Sequence, residues 1–167
     1  MNRNYFQGTA QYPHHISIGA VVRNNEGKIC CHYFDTFTHK SFGTFTDFYL
    51  LMRETIEPNE TIESCLARGL MEEFGIKAEL NRYIGSIVSK FEIEDTNIFV
   101  EKTTLYFICD FISIDELLRK KDDPEASSKI EWQEPAYLIS KMKDQGERLK
   151  REDIDESAIL KKLAKVQ

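Results

Sequence analysis

A chain of 167 residues, 41% hydrophobic and 30% charged, can bury one full core and is too apolar to be disordered. Its net charge of -6 argues against the basic surface that drives general nucleic-acid binding, although a metal or a few cations can still hold phosphates locally. No apolar run approaches the roughly 20 residues of a membrane-spanning helix, and the N-terminus has no uninterrupted apolar segment of the secretory kind.

The whole of 1–167 reads as one domain. Residues 1–14 read as a flexible or partly tag-derived start, Tyr5-Phe6-Gln7-Gly8 being equally readable as an imperfect tag remnant or as native sequence, and 139–167 are expected to form C-terminal helices. The first strand is predicted at 15–22, where Ile16, Ile18, Ala20 and Val22 alternate with Ser17 and Gly19. Asn24-Asn25-Glu26-Gly27 signals a tight turn, and 28–34 returns as the second arm of a hairpin. The mixed stretch 35–46 reads as a loop leading into a strand at 45–51. A helix is predicted over 59–74: Asn59 or Thr61 can cap it, Gly75 suits its left-handed end, and Ile62, Leu66, Leu70 and Phe74 form one stripe. Strands follow at 76–80, 83–90 and 102–111; Leu105 to Cys109 is apolar throughout, as expected of a strand covered on both faces. After a loop at 122–128 come a short strand at 130–132, a break at Glu134-Pro135, and helices at 139–149 and 156–166, the last burying Ile159, Leu160, Leu163 and Val166. Strands clustered around one long helix, with further helices at the end, indicate an α/β sandwich.

Cys30, Cys31, Cys65 and Cys109 form no CxxC pair and show no zinc-ligand spacing with the four histidines, so reduced, mostly buried thiols in a cytoplasmic protein are expected. In a strand, Cys30 and Cys31 must point to opposite faces. His14-His15 has no ligand spacing either and reads as a strand entry.

The informative stretch is Glu60-Thr61-Ile62-Glu63-Ser64-Cys65-Leu66-Ala67-Arg68-Gly69-Leu70-Met71-Glu72-Glu73-Phe74-Gly75-Ile76. On a helix, Arg68 and Glu72 share a face and Glu73 lies about 100° further round. Two neighbouring carboxylates repel unless a cation lies between them, and a hard ion such as Mg²⁺ or Mn²⁺ suits them while leaving positions for water and phosphate oxygens. Such an ion can bridge a diphosphate and activate a water, with Arg68 orienting a carboxylate. A bare Glu-Glu pair usually does no more than solvate a helix face; the accompanying Glu60, Arg68 and Gly75 spacings argue otherwise.

Those spacings resemble the Nudix box, G-x5-E-x7-R-E-U-x-E-E-x-G-U with U a bulky aliphatic residue, matched at Glu60, Arg68, Leu70, Glu72, Glu73, Gly75 and Ile76. The resemblance implies an α/β/α sandwich whose mixed central sheet packs against the motif helix. It also implies cleavage of a diphosphate linkage in a small nucleotide-type substrate, with a divalent metal on Glu72 and Glu73; homodimers are frequent among such proteins. Two positions depart from the pattern. Glu54, preceded by Arg53, stands where the box opens with glycine, and Gly69 stands where a glutamate normally shares in metal binding or orients water. Gly69 costs the helix roughly 1 kcal/mol against alanine, so helix propensity does not explain it. Because one carboxylate is gained as another is lost, Glu54 is a candidate replacement metal ligand. The alternative is a catalytically inactive domain that senses a nucleotide or binds a protein.

Many relatives carry a further glutamate on a loop before a late tryptophan strand, where it serves as general base. Glu125, ahead of Trp132, fits best, with Glu131 and Glu134 behind it. Arg23, His32, Lys102 and Trp132 are candidate substrate contacts. Tyr33, Phe34, Phe42 and Phe45 could stack on a base, though core packing is the more ordinary use of such rings.

Overall fold

The computed structural model describes residues 4, 6–39, 43–93 and 96–165. Strands β1 (His14–Arg23), β2 (Ile29–His39), β3 (Gly43–Leu50), β4 (Met52–Thr55), β5 (Ile76–Ile93), β6 (Ile98–Ile114) and β7 (Lys129–Gln133) form one sheet. Its main path runs β3-β2-β1-β6-β5, with β4 paired to β1 and β7 to β2. Among the described residues only β1 and β6 run parallel, and the other pairings are antiparallel, so the sheet is mixed.

Alternation along β1 divides the core in two. Ile18, Ala20 and Val22 face helix α1 (Ile62–Phe74) and meet its Leu66, Leu70 and Phe74. Val21 faces the opposite side, with Leu138 and Met142 of α2 (Pro135–Leu149) and Ile159 and Leu160 of α3 (Ser157–Leu160). Cys30 belongs to the first cluster and Cys31 to the second, as their adjacency in a strand requires. All four cysteines are free and buried. The result is the expected α/β/α sandwich.

Several boundaries differ from the sequence reading. The stretch 35–46 is not one loop, because β2 runs on to His39 and pairs with β3 from Gly43. Threonines and phenylalanines that look irregular along the chain become cross-strand partners there, Thr36 with Thr46 and Phe37 with Phe45, and β-branched and aromatic pairs stabilise such a ribbon. The α2 helix starts at Pro135, not 139, since proline is well suited to a first helical turn where its missing N–H is not needed. The last predicted helix is confined to Ser157–Leu160, followed by a 3₁₀ turn at Leu163–Lys165; Val166 lies outside the described residues. Phe6 packs on the first core cluster, and its carbonyl accepts from Ile16 N at 2.9 Å.

Candidate functional site

Helix α1 positions the motif. Thr61 caps it, its hydroxyl accepting from Ser64 N while the Ser64 hydroxyl accepts from Thr61 N, so serine fills the reciprocal capping role often taken by glutamate. Gly75 ends it with φ 68°, the left-handed geometry expected of that position. The segment that follows β6 is stitched onto this end: Lys120 N donates to the Glu72 carbonyl, and Arg119 Nε donates to the Glu73 carbonyl at 2.7 Å.

Gly69 is explained by the approach of β4. A Cβ at 69 would lie 2.9 Å from Glu54 Cβ and 2.9 Å from Met52 Sδ, so the side chain of Glu54 occupies space that a side chain at 69 would need. The two departures from the box therefore face each other across one contact. Glu54 Oε2 is 3.1 Å from Arg68 Nη1, and Glu54 Oε1 accepts from Thr55 N at 2.8 Å.

Arg68 is the hub of this region. Its Nε and Nη2 donate to the two oxygens of Glu60 at 2.7 and 2.9 Å, and Nη2 also donates to the Thr55 carbonyl. Glu72 is 3.7 Å from Arg68 Nη1 and 3.8 Å from Lys120 Nζ. The forked contact with Arg68 holds the Glu60 carboxyl down at about 2, against an ordinary 4.5. Because the folded value is depressed, the stabilisation is complete above about pH 4.5 and fades as pH falls towards 2. Glu60→Gln is accordingly expected to cost about 2 kcal/mol in denaturant unfolding at pH 7, the scale of a hydrogen bond to a charged group. The gap to wild type should close across that acid window; a constant gap down to pH 2 would contradict the ion-pair explanation.

Glu73 lies deeper. It is 5% exposed, and its Oε2 is 2.8 Å from His32 Nε2, while His32 Nδ1 is 2.7 Å from Ser128 Oγ. Burial pushes the Glu73 carboxyl well above the usual carboxylate range, and the charges of Glu125 and Glu54 add to it. Burial, with the nearby Arg119 and Arg53 charges, keeps His32 neutral. Glu54, Glu72, Glu73, Asp123 and Glu125 line one cavity of about 260 Å³ together with Arg53, Arg68 and Lys120. Oxygen donors alone suit a hard divalent ion. Among the described residues, no three Asp, Glu, His or Cys side chains already ring an ion position. A hard divalent ion fills the positions that carboxylates leave open with water and phosphate oxygens. On this test the donor set fits.

A second cavity of about 870 Å³ adjoins the first through the shared Arg53 and Glu125. Phe37, Phe45, Phe48 and Phe91 line it, and Lys102 lies in its wall. Burial and the Arg53 charge lower the Lys102 amine to about 8. Arg53 Nη1 donates to the Asp153 carbonyl at 3.0 Å, and its Nε lies 3.8 Å from Glu156, a fully buried carboxylate.

Of the sequence candidates, Glu54, Glu72, Glu73, Arg68 and Glu125 come together, and Lys102 joins them from the larger cavity. Three of the substrate-contact candidates, His32, Arg23 and Trp132, lie outside the lining of both cavities. His32 is fully buried with both ring nitrogens engaged. Arg23 pairs with Asp110 at 3.0 Å and lines neither cavity. Trp132 stacks edge-on against Phe111 in the wall of the first core cluster. Glu131 accepts from Gln133 Nε2, and Glu134 precedes α2; neither lines the cavities. Phe34 is core, Tyr33 packs on Tyr49, Phe45 is cavity wall, and Phe42 lies outside the described residues. Arg53, Arg119 and Ser128 were missed. Arg53 carried a signal as the cation beside Glu54 at the altered box opening, whereas the other two are defined only by contacts across the fold.

Comparison with known proteins agrees with this architecture. Residues 13–152 match the family described as NUDIX domain. The solution structure of the E. coli ORF135 protein is similar at a TM-score of 0.54 and 17% identity, over 80% of this chain and 83% of that one. A MutT protein from Methanosarcina mazei Go1 has a TM-score of 0.51 and 19% identity, covering 84% and 96%. A MutT NUDIX hydrolase from Burkholderia pseudomallei has a TM-score of 0.53 and 14% identity, covering 74% and 84%. No curated protein sequence matches the chain. At such identities the structural neighbours speak for the fold alone, whereas the family match spans most of the sequence: this chain belongs to the Nudix family.

Proposed function

We propose that the protein hydrolyses a diphosphate linkage in a nucleoside diphosphate derivative with Mg²⁺ or Mn²⁺. The observation that carries the reading is the junction of a carboxylate cavity with an aromatic-lined one through Arg53 and Glu125. Glu72, Glu73 and Glu54 would hold the ion, which when bound neutralises charge on the diphosphate and eases ionisation of the attacking water. Glu125, whose carboxyl is raised by burial, would take the proton as water attacks one phosphorus and the bridging oxygen leaves with the other phosphate. Arg68 would orient the carboxylates of Glu54, Glu60 and Glu72. The phenylalanines would receive the nucleoside, with Arg53 and Lys102 at the phosphate end. The buried free thiols are consistent with a reducing, cytoplasmic setting.

Phosphate release should appear on a panel of dinucleotides, sugar nucleotides and nucleoside triphosphates, and chelation should abolish it. Affinity for the active substrate should fall as pH rises through about 8, where Lys102 loses its charge, and Lys102→Ala should flatten that limb. The absence of a carboxylate at 69 favours a second reading, a silent domain that binds nucleotide without cleaving it. Thermal stabilisation by the same panel with no phosphate release would select that reading.

A further inference from the structure

Arg119 makes four hydrogen bonds around the carboxylate cavity. Its Nε reaches the Glu73 carbonyl at the end of α1, Nη1 the Ser128 carbonyl at 3.1 Å, and Nη2 both the Glu125 carbonyl at 3.0 Å and Ser128 Oγ at 2.9 Å. The last contact fixes the direction of a buried chain. A guanidinium only donates, so Ser128 Oγ accepts from it, and the remaining neighbour of that oxygen among the described residues is His32 Nδ1 at 2.7 Å. The serine proton has to go to Nδ1, because otherwise a buried hydroxyl would be left without an acceptor. His32 then carries its proton on Nε2 and donates it to Glu73 Oε2 at 2.8 Å. Among the described residues no donor contacts Glu73 Oε1, so that oxygen remains for a ligand of the cavity that Glu73 lines.

We propose that Arg119 is a positioning residue: it sets the His32 tautomer through Ser128, presents Glu73 with one oxygen engaged and one available, and clamps the Glu125 loop to the metal helix. The Glu73 part rests on the reading of that carboxylate as a divalent-ion ligand. The tautomer can be tested independently of it. Long-range proton–nitrogen NMR of protein labelled with ¹⁵N-histidine and stripped of divalent ions, with His32→Gln providing the assignment, should show His32 neutral and protonated at Nε2. A proton on Nδ1, or on both nitrogens near neutral pH, overturns the chain.

Mn²⁺ titration followed by electron paramagnetic resonance tests the consequence. Ser128→Ala and Arg119→Ala should bind Mn²⁺ roughly 10- to 100-fold more weakly than wild type, the usual effect of removing a group that orients a ligand. Ser128→Ala should have little further effect in a His32→Gln background, whose amide can still donate to Glu73. Wild-type Mn²⁺ affinity in Ser128→Ala would refute the positioning role even if Arg119→Ala fails to fold. If wild type itself takes up no Mn²⁺, the metal reading of the cavity fails, while the NMR result still decides the tautomer.

Discussion

Glu54→Gln should lower divalent-dependent phosphate release about 100-fold, comparable to Glu72→Gln, on the scale of losing several kcal/mol of charge stabilisation in a metal-assisted reaction. A glycine and a glutamate at the two altered box positions would each be unremarkable alone. Their packing makes them one unit, since a Cβ at 69 would meet Glu54 Cβ at 2.9 Å. Gly69→Glu by itself should therefore destabilise the fold, by about 1–3 kcal/mol as overpacking usually does, despite the better helix propensity of glutamate. Combined with Glu54→Gly, the same substitution is relieved of one of its two closest contacts, leaves only the flexible Met52 thioether to shift, and restores a carboxylate from the helix side. Turnover in the double variant should lie within about tenfold of wild type, well above Glu54→Gln. Wild-type turnover in Glu54→Gln, with turnover lost in Glu72→Gln, would remove Glu54 from the metal site and leave the exchange as a packing event alone.

How much of this was legible beforehand depended on range. Local geometry was readable: the helix stripe and the opposed Cys30 and Cys31 follow from periodicities of 3.6 and 2, and the left-handed Gly75 from the lack of a Cβ at a helix end. The β2–β3 ribbon was obscured because its pairs, such as Thr38 with Thr44, stabilise only once the register exists, and neither strand announces that register alone. The grouping of Glu54, Glu72 and Glu73 came from the motif, whose fixed offsets encode a tertiary arrangement, and Glu125 from the resemblance's loop ahead of a late tryptophan strand. His32 had no such help. Its partners lie 41 and 96 positions away, so a strand histidine that looked available for phosphate is sealed inside instead. Arg119 was equally hidden: α1 has no basic residue in its last turn, and the guanidinium that serves its carbonyl end arrives from a loop beyond β6.

Range also governs the largest stability effect expected, at Glu156. This carboxylate is fully buried, accepts from Leu51 N at 2.8 Å and from the Tyr106 hydroxyl, and faces Arg53. Glu156→Ala would strip an acceptor from two buried donors and leave the Arg53 charge with a poorer partner, at about 3–5 kcal/mol in denaturant unfolding. Glu156→Gln keeps an acceptor but removes the charge, and should cost less, about 1–3 kcal/mol. The charge component can be isolated by a cycle with Arg53→Met. If Arg53 and Glu156 offset one another, the double variant Arg53→Met/Glu156→Gln will be more stable than the sum of the singles by about 1 kcal/mol or more. Strict additivity would mean that Glu156 serves Leu51 and Tyr106 alone. A positive coupling would tie the C-terminal segment to the orientation of the cation joining the two cavities. Shortening the chain before Glu156 should then weaken ligand affinity even where the carboxylate cavity is untouched.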